Sequence, residues 1–293
     1  MRFGGHETFY LRPGWLAKGI AFVASGDTRP FADPGVADEL GVGRNMAKSI
    51  QFWLVATGLM PRTERRLAAF GELVYKHDPY LQHRATWWAI HANLATSPDT
   101  VWHWFWNDFR VARFDRLRCQ EGLQQHLERH DRPPKSIKSL QREVAVLLQT
   151  YRRALPADDD DPEDNLDCPL RHLGLLVLHT DLDQFERRSA WGRTPAEILA
   201  YTIARGRSDG PAETAAAEVM DIGFAELLHN RFGPGRLLQL DADGLADELA
   251  RAEGQLGADT FRTRLLAGER TITMEAAPPI KWLERFYDRV EAG

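Results

Sequence analysis

The stretch from residue 32 to residue 60 constrains the fold most, because it predicts two helices joined by a glycine turn. Pro34 suits the first turn of a short helix that ends near Leu40, and Gly41-Val42-Gly43 forms a tight turn. Apolar side chains then recur at i, i+4, i+7 and i+8, which predicts one stripe of a second helix that Gly58 closes. The order is typical of a helix-turn-helix unit. The stripe consists of Met46, Ile50, Trp53 and Leu54.

The second predicted helix has a polar face that suits a DNA groove. A basic stretch follows at once, and we interpret it as the wing of a winged-helix domain that lies close to phosphates. An ordinary helical hairpin with a basic, solvated face fits the same pattern, so both interpretations stay open. The DNA-binding candidates are Arg44, Asn45, Lys48 and Gln51 on the helix and Arg62, Arg65 and Arg66 in the wing.

Charge is distributed unevenly along the chain. The formal net charge of -5 argues against general coating of nucleic acid or of an anionic membrane. However, residues 1–153 contain 22 Lys+Arg and 15 Asp+Glu, a net of +7, which leaves -12 for residues 154–293. We therefore expect DNA to bind the basic part and a protein partner to bind the acidic part.

The pattern of apolar residues predicts a mainly α chain with small β elements, divided into three segments. Residues 1–80 are predicted to form a winged helix-turn-helix domain, residues 81–157 a helical domain, and residues 165–293 an acidic α+β domain for partner docking. The acidic run 158–164 is the predicted linker.

The last segment contains a unit that resembles a second winged-helix arrangement. Its order is strand, helix, strand, strand and helix, although its surface is acidic. The predicted elements are a strand over 235–240, a helix over 243–255, strands over 260–266 and 269–274, and a helix from Pro279.

Several classes of protein are excluded by missing motifs. The chain has neither a P-loop nor a GxGxxG motif, and no lysine is preceded two residues earlier by an acid, which excludes the (D/E)xK motif of restriction enzymes. Cys119 and Cys168 are far apart, so a disulfide framework and a zinc ribbon are not expected. The first residues do not resemble a signal peptide, and we see no membrane-spanning run. These features predict a protein of the reducing cytoplasm.

Two polar sites stand where a core element would not place them. His6 and Glu7 lie between glycines and an aromatic run, with Arg12 just beyond, and Asp78 precedes Pro79. One interpretation is catalytic, with carboxylates for a metal ion. The other is structural: Glu7 and Arg12 form a local ion pair, His6 is a turn residue, and Asp78 is a helix-initiating residue.

The chain contains four blocks in this order: FGGHETFYLRPGWLAKG, LGVGRNMAKSIQFWLVATGL, FGELVYKHDPYLQ with TWWAIH, and EDNLDCPLRHLGLL. Together they resemble the SspB-like family of bacterial phage-defence gene clusters. The resemblance spans roughly residues 2–286 and is densest before residue 175. In place of the acid of the family's DPYLE pattern this chain has Gln82, which argues against a metal-ligand role at that position.

The resemblance implies a protein that nicks one strand of double-stranded DNA for single-strand phosphorothioate modification. It would work with a cysteine desulfurase, an ATP pyrophosphatase-like protein and an ATPase. Under this hypothesis Glu7 and Asp78 hold Mg²⁺, His6 is the general base and Arg12 stabilises the phosphate. The alternatives are a non-catalytic DNA-binding adaptor and a helical scaffold without DNA contact. Whether the chain forms a homodimer stays open.

Overall fold

The computed structural model describes residues 4–98, 100–130, 136–155, 168–207, 219–266 and 268–292, and the predicted linker at 158–164 lies outside them. The described chain is mainly helical with two small sheets, which confirms the predicted class. The helices are α1 Trp15–Ala24, α2 Pro34–Leu40, α3 Arg44–Ala56, α4 Ala69–His77, α5 Arg84–Thr96, α6 Val101–Asn107, α7 Arg116–Arg129, α8 Ile137–Tyr151, α9 Ala196–Arg207, α10 Phe224–His229, α11 Pro234–Leu237, α12 Ala242–Leu256 and α13 Pro279–Glu291. The strands are β1 Arg113–Phe114, β2 Arg152–Leu155, β3 Leu176–His179, β4 Gln184–Arg187, β5 Val219–Gly223, β6 Phe261–Leu266 and β7 Glu269–Glu275.

The chain forms two compact units. The first comprises Met1–Gln82 and Ser97–Arg188, and the second comprises His83–Thr96 and Ser189–Gly293. These units interleave along the chain, whereas the three segments predicted from the sequence are contiguous. The three-segment division stays a prediction.

The predicted pair of helices is present in the first unit with the predicted bounds. The Asp33 carboxylate accepts a hydrogen bond of 2.7 Å from the Gly35 N–H and so caps the start of α2. Gly41 follows with φ 64°, in the left-handed region that favours glycine, and α3 starts at Arg44. The apolar stripe of α3 buries Trp53 and its neighbours in the core of this unit.

Replacing Gly41 with alanine is expected to lower the free energy of unfolding by about 1–2 kcal/mol, because a Cβ is disfavoured in the left-handed region. The control is Gly254→Ala. Gly254 lies inside α12 with open space around it, so alanine is expected to raise stability by up to about 1 kcal/mol. Denaturant unfolding of the full chain measures both, and shifts in the same direction would contradict the role of Gly41.

The predicted wing is not confirmed. Residues 61–68, between α3 and α4, contain bends and no strand. The Arg65 guanidinium donates to the Thr28 carbonyl, and Arg66 pairs with Glu64.

A four-stranded sheet of order β1-β4-β3-β2 lies later in this unit, with β2 parallel to β3 and the other pairs antiparallel.

In the second unit, α5 packs against α9 and α13. The sheet has the order β5-β7-β6, and all its pairs are antiparallel. The predictions for α12, β6, β7 and α13 are confirmed to within two residues.

The predicted strand over 235–240 is wrong. Residues 234–237 form the short helix α11, because Pro234 at its first position has a backbone preset for a helix. Gly235 also lies so close to α10 that a Cβ would come within 2.4 Å of the Leu228 carbonyl oxygen. The strand of this unit that precedes α12 is instead β5, and a second winged helix is not confirmed.

No helix in the described part of the chain is both long enough and apolar enough to cross a bilayer.

Candidate nucleic-acid interface

The residues before α1 form a tight turn in the first unit. The Glu7 N–H donates to the Gly4 carbonyl at 3.0 Å, and the Phe9 N–H donates to the His6 carbonyl at 2.8 Å. Glu7 and Thr8 have φ angles of 49° and 69°. A non-glycine residue in this region costs roughly 1–2 kcal/mol, so the surrounding contacts must hold the turn in place.

Two helices hold this turn. The buried His6 ring donates from Nε2 to Glu143 Oε2 of α8 at 3.0 Å, and the Gly4 N–H donates to the other oxygen of the same carboxylate. The His6 carbonyl accepts a hydrogen bond of 3.0 Å from Ser49 Oγ of α3. The turn therefore connects the first helix pair to α8.

The hydrogen bonds of His6 determine its tautomer. The Thr8 N–H lies 3.1 Å from Nδ1, and a backbone N–H can only donate. Nδ1 is therefore the acceptor, and Nε2 carries the proton that points to Glu143. Because both ring nitrogens are engaged, one of these hydrogen bonds would have to break before His6 could take a proton from water.

Aromatic side chains also pack against His6, and we call His6, Glu143 and these aromatic neighbours the His6 clamp. The His6 ring centroid lies 5.6 Å from that of Phe52 and 6.2 Å from that of Trp102, both edge to face. A Cβ at Gly5 would come within 2.8 Å of the Phe52 ring, so the glycine allows the turn to lie against α3. These contacts explain why a glycine directly precedes His6.

A cleft of about 590 Å³ opens beside this clamp. Three elements contribute to it: the N-terminal turn, the first turn of α3 and the first two turns of α8. Its lining includes the acidic side chains of Glu7 and Glu143 and the basic side chain of Arg142. The lining residues are Gly4, His6, Glu7, Thr8, Asn45, Ser139, Arg142 and Glu143.

The structure brings together part of the predicted catalytic set. His6 and Glu7 line the cleft, and Arg12 and Asp78 are not among its lining residues. The Arg12 guanidinium lies over the rings of Phe9, at 5.4 Å, and Trp15, at 5.6 Å, and makes no ion pair with Glu7 in the described part of the chain.

Asp78 lies directly after α4. It is 4% exposed, and its carboxylate accepts a hydrogen bond of 2.7 Å from the Gln82 N–H. Asp78 is the C-cap residue of α4, and this contact stabilises the turn that follows that helix rather than the start of the next one. The contact therefore differs from the helix-initiating role that the sequence suggested.

The predicted recognition residues lie at the start of α3. Arg44 and Asn45 are exposed, while Lys48 and Gln51 are half-buried. Lys48 Nζ donates to Asn45 Oδ1 at 3.3 Å. Asn45 thereby connects this face with the cleft, because it lines the cleft together with Glu7. The three arginines of the basic stretch, Arg62, Arg65 and Arg66, are exposed.

The cleft offers only part of a metal site. No three His, Cys, Asp or Glu side chains of the described residues form a group that could hold a metal ion. Mg²⁺ commonly binds through one or two carboxylates, with waters and substrate phosphates as its other ligands. Glu7 fits that requirement, because its carboxylate makes no hydrogen bond or ion pair with any residue that the structure describes.

The contribution of α8 to the cleft was not predicted from the sequence. Glu143 lies three residues after Leu140 and four before Leu147, in register with the apolar stripe of α8, and it is 3% exposed. An acid on an apolar stripe signals a buried polar partner. Ser139 and Arg142, which also line the cleft, carry no comparable signal.

Comparison with known proteins assigns the family. The family model described as "Protein of unknown function (DUF4007)" matches residues 3–287. The chain belongs to the DUF4007 family. A comparison with curated proteins found no match.

Two solved structures share the fold of this DUF4007 member. The one described as "Magnesium ion-bound SspB crystal structure" has a TM-score of 0.80 and 24% identity, and the match covers 99% of this chain and 89% of that one. The one described as "SspB crystal structure" has a TM-score of 0.79 and 23% identity, with the same coverage. Family and fold together confirm the resemblance to the SspB-like family.

Proposed function

We propose that this chain is the DNA-binding component of a single-strand DNA phosphorothioate modification system and that it nicks one strand with Mg²⁺. The observation that carries the proposal is that Asn45, in the first turn of the predicted recognition helix, lines the same cleft as Glu7, whose carboxylate pairs with no described residue. A side chain proposed to bind DNA and a side chain proposed to bind metal thus lie in one concave site.

DNA binding would use the start of α3. Arg44, Asn45, Lys48 and Gln51 would face the groove, and the exposed arginines of residues 62–66 would contact phosphates. Arg142 in the cleft makes no ion pair with the residues described, so its guanidinium is available for a phosphate oxygen.

Strand cleavage would centre on Glu7. One similar structure is described as magnesium ion-bound, which supports the choice of this ion. When bound, Mg²⁺ would neutralise charge on the scissile phosphate. Glu143 and His6 would hold the turn that presents Glu7. The roles of His6 as a base, Arg12 at the phosphate and Asp78 as a second metal ligand stay predictions.

The partners follow from the proposed system. They are a cysteine desulfurase, an ATP pyrophosphatase-like protein and an ATPase, and the acidic residues 154–293 are the proposed docking region. The same proposal includes a role in phage defence, a cytoplasmic location and the formation of a homodimer.

The double variant Arg44→Ala/Lys48→Ala is expected to weaken binding of double-stranded DNA at least tenfold at low salt, because it removes two cations from the helix proposed to face the DNA groove. A gel shift with labelled duplex measures the affinity. Arg129→Ala/Lys281→Ala, which removes two exposed cations elsewhere, is the matched control. Unchanged affinity in the α3 variant would refute the recognition-helix interpretation.

The second candidate is a non-catalytic DNA-binding adaptor. It is favoured by the lack of a three-residue metal group among the described side chains. A supercoiled-plasmid assay with highly purified protein separates the two functions. Nicking in Mg²⁺ that EDTA abolishes supports the nickase, whereas DNA binding without nicking supports the adaptor.

A further inference from the structure

A second concave surface lies beside the cleft in the first unit. It has a volume of about 400 Å³ and is formed by α7 and α8, which pack against each other. Arg142 lines both concavities and so connects them. We call this surface the α7–α8 groove, and its lining residues are Arg116, Gln120, Lys138, Gln141, Arg142 and Ala145.

The spacing of the lining residues explains the groove. Arg116 and Gln120 are four residues apart and share one face of α7. The α8 residues fall at i, i+3, i+4 and i+7 and share one face of that helix. Every charged residue in the lining is basic, and the two glutamines supply amide N–H donors.

The cations of the groove have no acidic partner among the described residues. Arg116, Lys138 and Arg142 make no ion pair or hydrogen bond through their side chains to any described residue. On the same helix α7, Arg118 lies outside the groove and pairs with Glu121 at 3.5 Å. Unpaired cations that line one groove favour an anion as its occupant.

Helix stability does not account for these positions. Arg116 is the first residue of α7, Lys138 is the second residue of α8, and neither helix has an acid in its first turn. A cation near a helix N-terminus is unfavourable by roughly 0.3–1 kcal/mol. Replacing these cations should therefore leave the helices at least as stable.

We infer that the α7–α8 groove binds the sugar-phosphate backbone of DNA next to the segment that α3 contacts. The inference rests on the proposed function, which it extends to a second set of phosphate contacts. Continuity with the cleft through Arg142 favours an extended polyanion over a single small anion. Cations and amides that contact phosphates give affinity without base specificity.

The test is the salt dependence of DNA binding by the full-length Arg116→Gln/Lys138→Gln variant. The slope of log K against log salt is negative, and each lost phosphate contact makes it shallower by about 0.9, so the expected slope is less steep by about 1.8. The control Arg118→Gln/Arg129→Gln removes the same charge from exposed α7 positions outside the groove. It should keep a slope close to that of the wild type.

The outcomes separate the two claims. If the wild-type chain does not bind DNA at low salt, the proposed function fails. If the wild type binds and the α3 variant does not, but the groove variant has the slope of its control, the groove inference alone is overturned. An acidic protein segment would then be the better candidate for the groove. Circular dichroism of each variant checks that the helices are intact.

Discussion

Glu143→Ala is expected to lower the free energy of unfolding of the first unit by about 2–3 kcal/mol. The substitution leaves the buried His6 Nε2–H and the Gly4 N–H without their shared acceptor. The turn that carries Glu7 would lose its connection to α8, so we also expect nicking to fall. Denaturant unfolding and a plasmid assay measure the two effects.

Two further variants identify the cause. Glu143→Gln keeps the shape but offers one acceptor oxygen to two donors, so it should lose about half as much stability. A double-mutant cycle with His6→Phe should give a coupling of about 1 kcal/mol or more. The control is Glu128→Ala, an exposed position on α7, which should stay within about 0.5 kcal/mol of the wild type. Wild-type stability of Glu143→Ala would contradict the clamp.

Glu7→Gln is expected to reduce Mg²⁺-dependent nicking at least about 100-fold, because a neutral amide oxygen binds a hard cation much more weakly than a carboxylate does. That loss corresponds to about 2.7 kcal/mol of transition-state stabilisation. DNA affinity should change less than about threefold. Glu72→Gln, at an exposed position on α4, is the control and should nick like the wild type.

The backbone of Glu7 allows a sharper version of this test. Its φ of 49° is unfavourable for glutamate and better tolerated by asparagine. Glu7→Asn should therefore keep or raise stability while it abolishes nicking. A variant that is as stable as the wild type and nicks at the wild-type rate would exclude Glu7 from the site.

The helix pair could be predicted because its signals are local. A capped proline start, a left-handed glycine and an apolar stripe lie within 25 residues, and each determines the backbone nearby. The predicted wing rested only on basic composition, which does not specify a strand. The prediction of a strand at 235–240 failed because Pro234 and Gly235 begin a helical turn there.

The candidate site was only partly predictable because the two residues that form the His6 clamp across the fold, His6 and Glu143, are far apart in the sequence. Glu143 is 137 residues from His6, and nothing in either local pattern identifies the other as its partner. The unusual position of each was visible: a histidine between glycines and an aromatic run, and an acid on an apolar stripe. Only the fold shows that the two residues are hydrogen-bonded to each other, which accounts for both unusual positions.

The most direct measurement is a DNA crosslink from the cleft. Asn45→Cys places a thiol in the cleft for a photoactivatable reagent, and the native Cys119 and Cys168 are buried. Burial also raises the pKa of Cys119 to about 12, which suppresses its reactivity. Leu182→Cys, at a position that is 64% exposed and lines neither concavity, is the control.

We expect irradiation with labelled duplex to crosslink DNA to the modified Asn45→Cys protein and not to the modified Leu182→Cys protein. The crosslink should weaken as salt rises, because phosphate contacts hold the DNA there. Equal crosslinking from both positions, or none from residue 45 under conditions where the protein retards DNA, would contradict the claim that DNA lies across this cleft.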